Sequence, residues 1–434
     1  MKIVLALATA ILFATVPAPA IAQQANADQT VEADAQSPVQ IRASQIVEML
    51  NGELEAELTE VFTEAFLAAV PPAQLNTLSQ QITGNFGRAI GVERLIENEG
   101  LSTQIEVRLE RAIAKGMIAI DPSQGNRIIG LRFTTFEPID DTAEKIEADL
   151  AALPGNVSVY FAPLDGEPVI EMAPDKQLAI GSTFKLYVLA ALSRDIERGY
   201  RKWDDVVELD VQSFPSGQMQ DWPQGAPVTL HTLASMMISI SDNTATDQLI
   251  KVVGYDRLNA MLLESGHSQM ALNEPFLTTR QLFLLKGGPK ERLEAYRKGD
   301  DIARSDILAD LESVAVPQDA INAAFTQGPV ALDVEWFASG EDLAKLYAHM
   351  ASFADQTTWD ILAINTGVAP EAEAAWSYVG YKGGSEPGVL NLTWFLTEQS
   401  GKRYVLSLGW NNPEAVVDET TMELIAQRIL LLPR

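Results

Sequence analysis

Two blocks of strand-like sequence lie far apart in the second part of the chain, and that separation constrains the fold more than any other feature. "NVSVYFAPLD" and "PVIEM" follow a short helical pattern, "DTAEKIEADLAAL". "WSYVGYKGG", "GVLNLTWFLTE" and "RYVLSLGWNN" come only near the C-terminus, before a closing helical pattern, "TTMELIAQRILLL". Between the blocks, from Ser182 to about Met350, the periodicity is helical. Strands at both ends with helices between imply one antiparallel sheet built from N- and C-terminal pieces, with a helical subdomain inserted. The first long helix, opening at Ser182, then lies where sheet and helical region meet, and such clefts favour ligand sites.

The chain has 434 residues, enough for two or three domains. Residues 1–22 combine a basic start, an apolar run and a small-x-small site at Ala20-Ile21-Ala22, which reads as a secretory signal peptide. Pro17 and Pro19 interrupt the run, which argues against a membrane anchor, and the absence of cysteine argues against a lipid anchor. Residues 23–38 are polar and read as a disordered leader. From 39 to 138 helical patterns ("ELTEVFTEAFLAAV", "PPAQLNTLSQQI") precede period-two strands ("TQIEVRLERA", "KGMIAID", "NRIIGLRF"), a small cone-like α+β domain. "FEPIDD" is the linker, and 139–434 form the second domain.

A net charge of −28 makes nucleic acid and anionic lipid poor partners. No later segment reaches the ~20 apolar residues of a spanning helix, so an exported, periplasmic protein without stable membrane insertion is expected; its oligomeric state stays open. His231, His267 and His349 are scattered and cysteine is absent, so neither metal nor cofactor is expected.

The chemistry starts in "AIGSTFKLYVLAAL", an apolar helical stretch carrying one charge, Lys185, three residues after Ser182. Positions i and i+3 share a helix face, so the amine can reach the hydroxyl. A lysine shielded from water loses affinity for its proton and becomes a usable base. Ser182 would then be an activated nucleophile without histidine. The alternative is a capping serine and a lysine that snorkels to solvent.

Two further elements follow. Ser241-Asp242-Asn243 ends an apolar helical run; Ser241 could relay a proton and the Asn243 amide could hold a carbonyl, or the segment caps the next helix. Lys382-Gly383-Gly384 closes the strand "WSYVGYKGG", where a cation suits a substrate carboxylate and the glycines admit a substrate backbone. The backbone N–H groups of Ser385 and Ser182 could form an oxyanion hole. A second copy, Lys286-Gly287-Gly288, follows the helical pattern "TTRQLFLLK" and reads as a helix C-cap.

Ser-x-x-Lys, Ser-Asp-Asn and Lys-Gly-Gly in this order resemble the three motifs of the class A β-lactamase family of penicillin-recognising serine hydrolases. The resemblance covers the C-terminal ~295 residues and includes the flanking "STFKLYVLAAL". It implies a β-lactamase-like sandwich of antiparallel sheet and helices, with a β-lactam or ester as small-molecule substrate. In its terms Ser182 is acylated, Lys185 accepts the proton, Ser241 relays to the leaving nitrogen, Asn243 lines the cleft and Lys382 attracts the carboxylate. Gly383 stands where the family usually has a hydroxyl residue.

The family hydrolyses the acyl-enzyme with a glutamate on a loop after Ser-Asp-Asn, and Glu274 in "ALNEPFLTTR" is the candidate; Thr278 stands where an Asn usually follows. An insertion at about 276–335 enlarges the same region. Three functions remain open on this reading: a β-lactamase, an esterase or penicillin-binding acyl transferase with slow deacylation, and a non-catalytic binding protein. The N-terminal domain is similar to NTF2-like, steroid-isomerase-like cones, implying a binding or spacer role.

Overall fold

The computed structural model describes residues 36–97, 101–139, 141–315, 319, 321, 325, 326 and 328–432. The expected signal peptide, 1–22, and most of the expected leader lie in residues 1–35, outside the described residues. The chain divides into two units, one of Val4–Thr142 with Glu423–Pro433, the other centred on Ala143–Met422.

In the N-terminal unit, β1 (Ala89–Glu97), β2 (Ser102–Leu109), β3 (Ala112–Asp121) and β4 (Arg127–Pro138) form an antiparallel meander in sequence order. Alternation in β2 turns Ile105, Val107 and Leu109 into the core and leaves Gln104 and Arg108 exposed. Helix Pro38–Leu50 starts from a capping box between Ser37 and Gln40 and buries Ala43 and Ile46 in the same core. Helix Pro72–Phe86 opens with proline, as its sequence implies, and its Phe86 stacks on Phe136 at 4.7 Å.

The helix expected over "ELTEVFTEAFLAAV" is instead split into Leu58–Val61 and Glu64–Ala69. Phe62 between them is extended and bridges Ile128 of β4, and Thr63 caps the second piece through Phe66 N. A tertiary pairing outweighs local helix propensity there. Residues Glu423–Pro433, read from sequence as part of the second domain, group with this unit, and the boundary falls after Thr142 rather than 138. Leu424 joins its core, and Arg428 pairs with Asp141 through Nε at 2.6 Å and Nη2 at 3.0 Å.

In the second unit a five-stranded antiparallel sheet runs in the order β11-β12-β13-β5-β6. Here β5 is Asn156–Pro163, β6 Ile170–Met172, β11 Tyr378–Glu386, β12 Val389–Thr397 and β13 Arg403–Asn411. The pairing of β13 with β5 joins the C-terminal strands to the N-terminal ones, as the separated strand blocks imply. A short pair, β7 (Leu178–Ala179) with β10 (Phe337–Ala338), lies at the entry to the helical region, and a second, β8 (Val206–Glu208) with β9 (Pro227–Thr229), lies within it. β12 is buried on both faces, which accounts for its unbroken apolar run.

Helix Lys185–Glu197 is the centre of the helical subdomain, with every residue from Lys185 to Ser193 buried. At ~1.5–3 kcal/mol for each large apolar side chain removed from water, this segment and the helices Leu230–Ser239 and Asn243–Val253 around it form the main core. The insertion folds as helices Thr279–Lys286, Lys290–Lys298 and Asp301–Leu311.

Candidate active site

Ser182 lies in a 3-10 turn, Gly181–Phe184, and the α-helix proper begins at Lys185 rather than at Ser182. The turn follows β7 directly and is held by Ile180 N–H donating to Trp336 O at 3.0 Å and by Phe184 stacking on Trp336 at 3.7 Å. Strand β11 runs against it. A Cβ on Gly384 would lie 2.4 Å from Ser182 N and 2.2 Å from Ile180 O, so only glycine lets the strand come this close. A Cβ on Gly181, itself at φ +48°, would lie 3.2 Å from Ser385 N. The N–H groups of Ser182 and Ser385 thus belong to segments in van der Waals contact.

Lys185 is fully buried, and its Nζ donates to Ser241 O at 2.8 Å, Ser241 Oγ at 3.0 Å and Asn243 Oδ1 at 2.8 Å. Lys382 Nζ, also buried, reaches the same Ser241 Oγ at 3.1 Å and the carbonyl of Gly383. Ser241 has a left-handed backbone, φ +57°, unusual for a residue with a Cβ. Asp242 next to it is buried and accepts from Gln218 N at 2.6 Å, Met219 N at 2.8 Å and Ala245 N at 2.8 Å. It caps helix Asn243–Val253 and so fixes the serine before it and the asparagine after it. The capping reading of this segment therefore holds, and the cap leaves the Ser241 hydroxyl beside both lysines.

Burial pulls the Lys185 ammonium down from 10.5 to about 7, against the opposing charges of Asp242 and Asp247. Lys382 is held well below the usual lysine range by burial and then by the positive charge of Lys185. The two amines share one serine hydroxyl, and Lys185, titrating at about 7, can take and return a proton near neutrality.

The remaining expected residues are placed differently. Glu274 is half-buried and lines a cavity with Leu272, Tyr296, Arg297, Arg304 and Trp336. Lys185 bonds to Ser241 and Asn243, the carboxylates acting on it are those of Asp242 and Asp247, and among the described residues Glu274 makes no hydrogen bond to this cluster. Thr278 forms a capping box with Gln281 at the start of helix Thr279–Lys286, a local reason for threonine there. A Cβ on Gly383 would lie 2.1 Å from the Tyr381 hydroxyl, which occupies the space of the missing side chain.

Residues that sequence reasoning missed include Tyr381 and Asp247. Asp247 is buried and accepts from Ser213 Oγ at 2.6 Å, Thr279 N and Oγ1 at 2.8 Å and Arg280 N at 2.9 Å, tying the loop after Glu274 to the helix of Asn243. An acidic residue four positions after Asn243, following the apolar and hydroxylic stretch Thr244-Ala245-Thr246, was the available signal. Among the described residues no group of three or more His, Cys, Asp or Glu side chains is arranged to hold a metal.

Residues 141–325 match the family described as the Beta-lactamase enzyme family. The match makes residues 141–325, within the second unit, similar to β-lactamase enzymes. Similar solved structures include a β-lactamase from Sphaerobacter thermophilus, 21% identical over 66% of this chain and 93% of that one, TM-score 0.45. PBP-A is 17% identical over 67% and 92%, TM-score 0.45, and a Francisella tularensis β-lactamase 14% over 66% and 97%, TM-score 0.47. No curated protein matches the sequence. In this β-lactamase-like unit the three ordered motifs converge through Ser241 and Gly384, the first beside the second and third, the third against the first.

Proposed function

We propose that the chain is an exported serine hydrolase that opens β-lactam amides through an acyl-enzyme on Ser182. The observation that carries the reading is the buried Lys185 amine, proton-poor near neutrality and bonded to the Ser241 hydroxyl that Lys382 also holds. Ser182 Oγ attacks the lactam carbonyl and its proton passes to the neutral Lys185 amine. The tetrahedral oxyanion is received by the N–H groups of Ser182 and Ser385. Ser241 Oγ then gives its proton to the departing ring nitrogen and is reprotonated from Lys185. Lys382 holds its proton weakly in the free protein and gains affinity for it when the substrate's anionic group arrives beside it, and Asn243, its Oδ1 engaged by Lys185, has its amide Nδ2 as the donor for a substrate carbonyl. Residues 1–22 direct export, so N-terminal sequencing of the mature protein should begin at Gln23.

A second reading follows from Glu274, which is not joined to Lys185: acylation outpaces hydrolysis and the protein behaves as a slowly deacylating, penicillin-binding enzyme. Time-resolved intact-mass spectra after mixing with benzylpenicillin separate the two. Rapid appearance and loss of the adduct, with nitrocefin turnover abolished in Ser182→Ala, supports hydrolysis; a persistent adduct supports the second reading. No adduct at all, or equal turnover by Ser182→Ala, overturns both.

A further inference from the structure

The Lys-Gly-Gly copy at 286–288 ends a helix, as its flanking pattern implies, but its lysine is not a solvent-facing cap. Lys286 Nζ meets Glu335 Oε1 at 2.8 Å and is ion-paired to Glu386 as well. The three side chains are 0%, 1% and 7% exposed, so this is an interior cluster, not a surface salt bridge. Burial, and then the like charge of Glu335, pushes the Glu386 carboxyl well above its usual range, against the pull of Lys286.

Each member ends or adjoins a segment that frames the nucleophile. Glu335 precedes Trp336, whose carbonyl takes the Ile180 N–H and whose ring stacks on Phe184, on either side of Ser182. Glu386 ends β11, and alternation puts it on the strand face that carries Lys382 and Gly384. Gly384 is the residue pressed against Ser182 N, and Ser385 lies between it and Glu386. Lys286 ends the helix that begins at Thr279, where Asp247 anchors it. Three segments distant in sequence thus meet at one ammonium. Interior ion clusters are seldom the most stable filling of a core, and their best-attested use is to select one arrangement of the parts they join.

We propose that Lys286, Glu335 and Glu386 are positioning residues, a buried clamp through which the insertion holds the Gly384–Ser385 edge against Ser182 and sets the two oxyanion-binding N–H groups for acylation. The proposal rests on acylation at Ser182, so wild type is measured alongside. Its test is the second-order rate constant for acylation by a fluorescent penicillin in Glu386→Gln, Lys286→Met and Lys286→Arg, with circular dichroism confirming the fold. Displacing a positioned group by ~1 Å costs up to ~100-fold. Glu386→Gln and Lys286→Met are therefore expected to acylate ~10- to 100-fold more slowly. Lys286→Arg, which can fork between two carboxylates, is expected to recover most of the rate. A merely structural cluster would lower the melting temperature and leave the rate constant of folded molecules unchanged. Glu386→Asp keeps the charge and withdraws it by one methylene; it is expected to lose less than Glu386→Gln and substitutes for it should that variant not fold. A wild-type rate constant in whichever of the two folds overturns the clamp, whereas a wild type that never forms an adduct overturns the functional reading instead.

Discussion

Replacing Lys185 by methionine tests the central amine through stability as well as catalysis. In the unfolded chain Lys185 titrates near 10.5, and in the folded protein near 7. The unfolded state therefore binds more protons between those values, and folding stability must rise with pH across that window. At 1.36 kcal/mol per pKa unit, the buried amine costs about 4 kcal/mol at pH 7, about 2 kcal/mol at pH 9 and almost nothing at pH 11. Methionine removes that cost but strips donors from Ser241 O and Asn243 Oδ1, and each orphaned buried acceptor costs ~1–3 kcal/mol. The two effects are of similar size at pH 7, so the variant and wild type are expected to lie within ~2 kcal/mol of each other there.

The decisive quantity is the change in that difference with pH, because the lost hydrogen bonds do not titrate. From pH 7 to pH 9 wild type should gain about 2 kcal/mol relative to Lys185→Met. Lys382 adds in the same direction, since its ammonium is opposed by Lys185 in wild type and relieved in the variant. Urea unfolding followed by tryptophan fluorescence isolates the right unit: all 7 tryptophans lie between Trp203 and Trp410, within Ala143–Met422. A stability difference that stays constant within ~0.5 kcal/mol between the two pH values would refute the buried-amine argument. The kinetic counterpart is an acylation rate that rises about tenfold per pH unit below pH 7 and levels off above it.

Restoring the family's usual hydroxyl by Gly383→Thr is expected to harm rather than help, since its Cβ would fall 2.1 Å from the Tyr381 hydroxyl. A loss of ~1–3 kcal/mol in urea unfolding and slower acylation are expected, and faster acylation at unchanged stability would contradict the packing. Asp247→Ala leaves the donors of Ser213, Thr279 and Arg280 without their acceptor. Such a loss should cost ~3–5 kcal/mol by the same fluorescence assay, and a change under ~1 kcal/mol would show that water replaces the carboxylate at no penalty. In the N-terminal unit, Arg428→Ala should leave Asp141 an unpaired, largely buried charge and lower that unit's calorimetric transition by ~3 kcal/mol, with the acylation rate at Ser182 unchanged.

What the sequence makes legible here is what short-range chemistry decides. Period-two alternation marks β2, an unbroken apolar run marks β12, and proline opens helix Pro72–Phe86. The three motifs announce themselves because the proposed acylation would need those residue types whatever surrounds them. What stays hidden is set by partners far along the chain. Phe62 breaks a helix because Ile128, 66 positions away (128 − 62), pairs with it. The closing helix is amphipathic in sequence wherever it packs, so nothing local assigns Leu424 and Arg428 to the N-terminal unit.

The two Lys-Gly-Gly copies show the limit most sharply, because the tripeptides are identical and their flanks separate helix from strand correctly, although β11 runs on past Gly384 to Glu386. The flanks cannot say where a lysine side chain goes. Lys286 meets Glu335 and Glu386 at separations of 49 and 100 residues, and Lys382 meets Ser241 at 141. A buried ammonium is tolerable only where acceptors await it, and those acceptors are supplied by the fold. For Lys382 the acceptors are the Gly383 carbonyl and a serine hydroxyl that can itself carry a proton onward, so the amine stays exchangeable. For Lys286 the acceptors are two carboxylates, which fix the ammonium and convert it into a joint between segments. The same local sequence therefore yields a chemical group at one site and a mechanical one at the other. The difference follows from the partner's capacity to give up a proton.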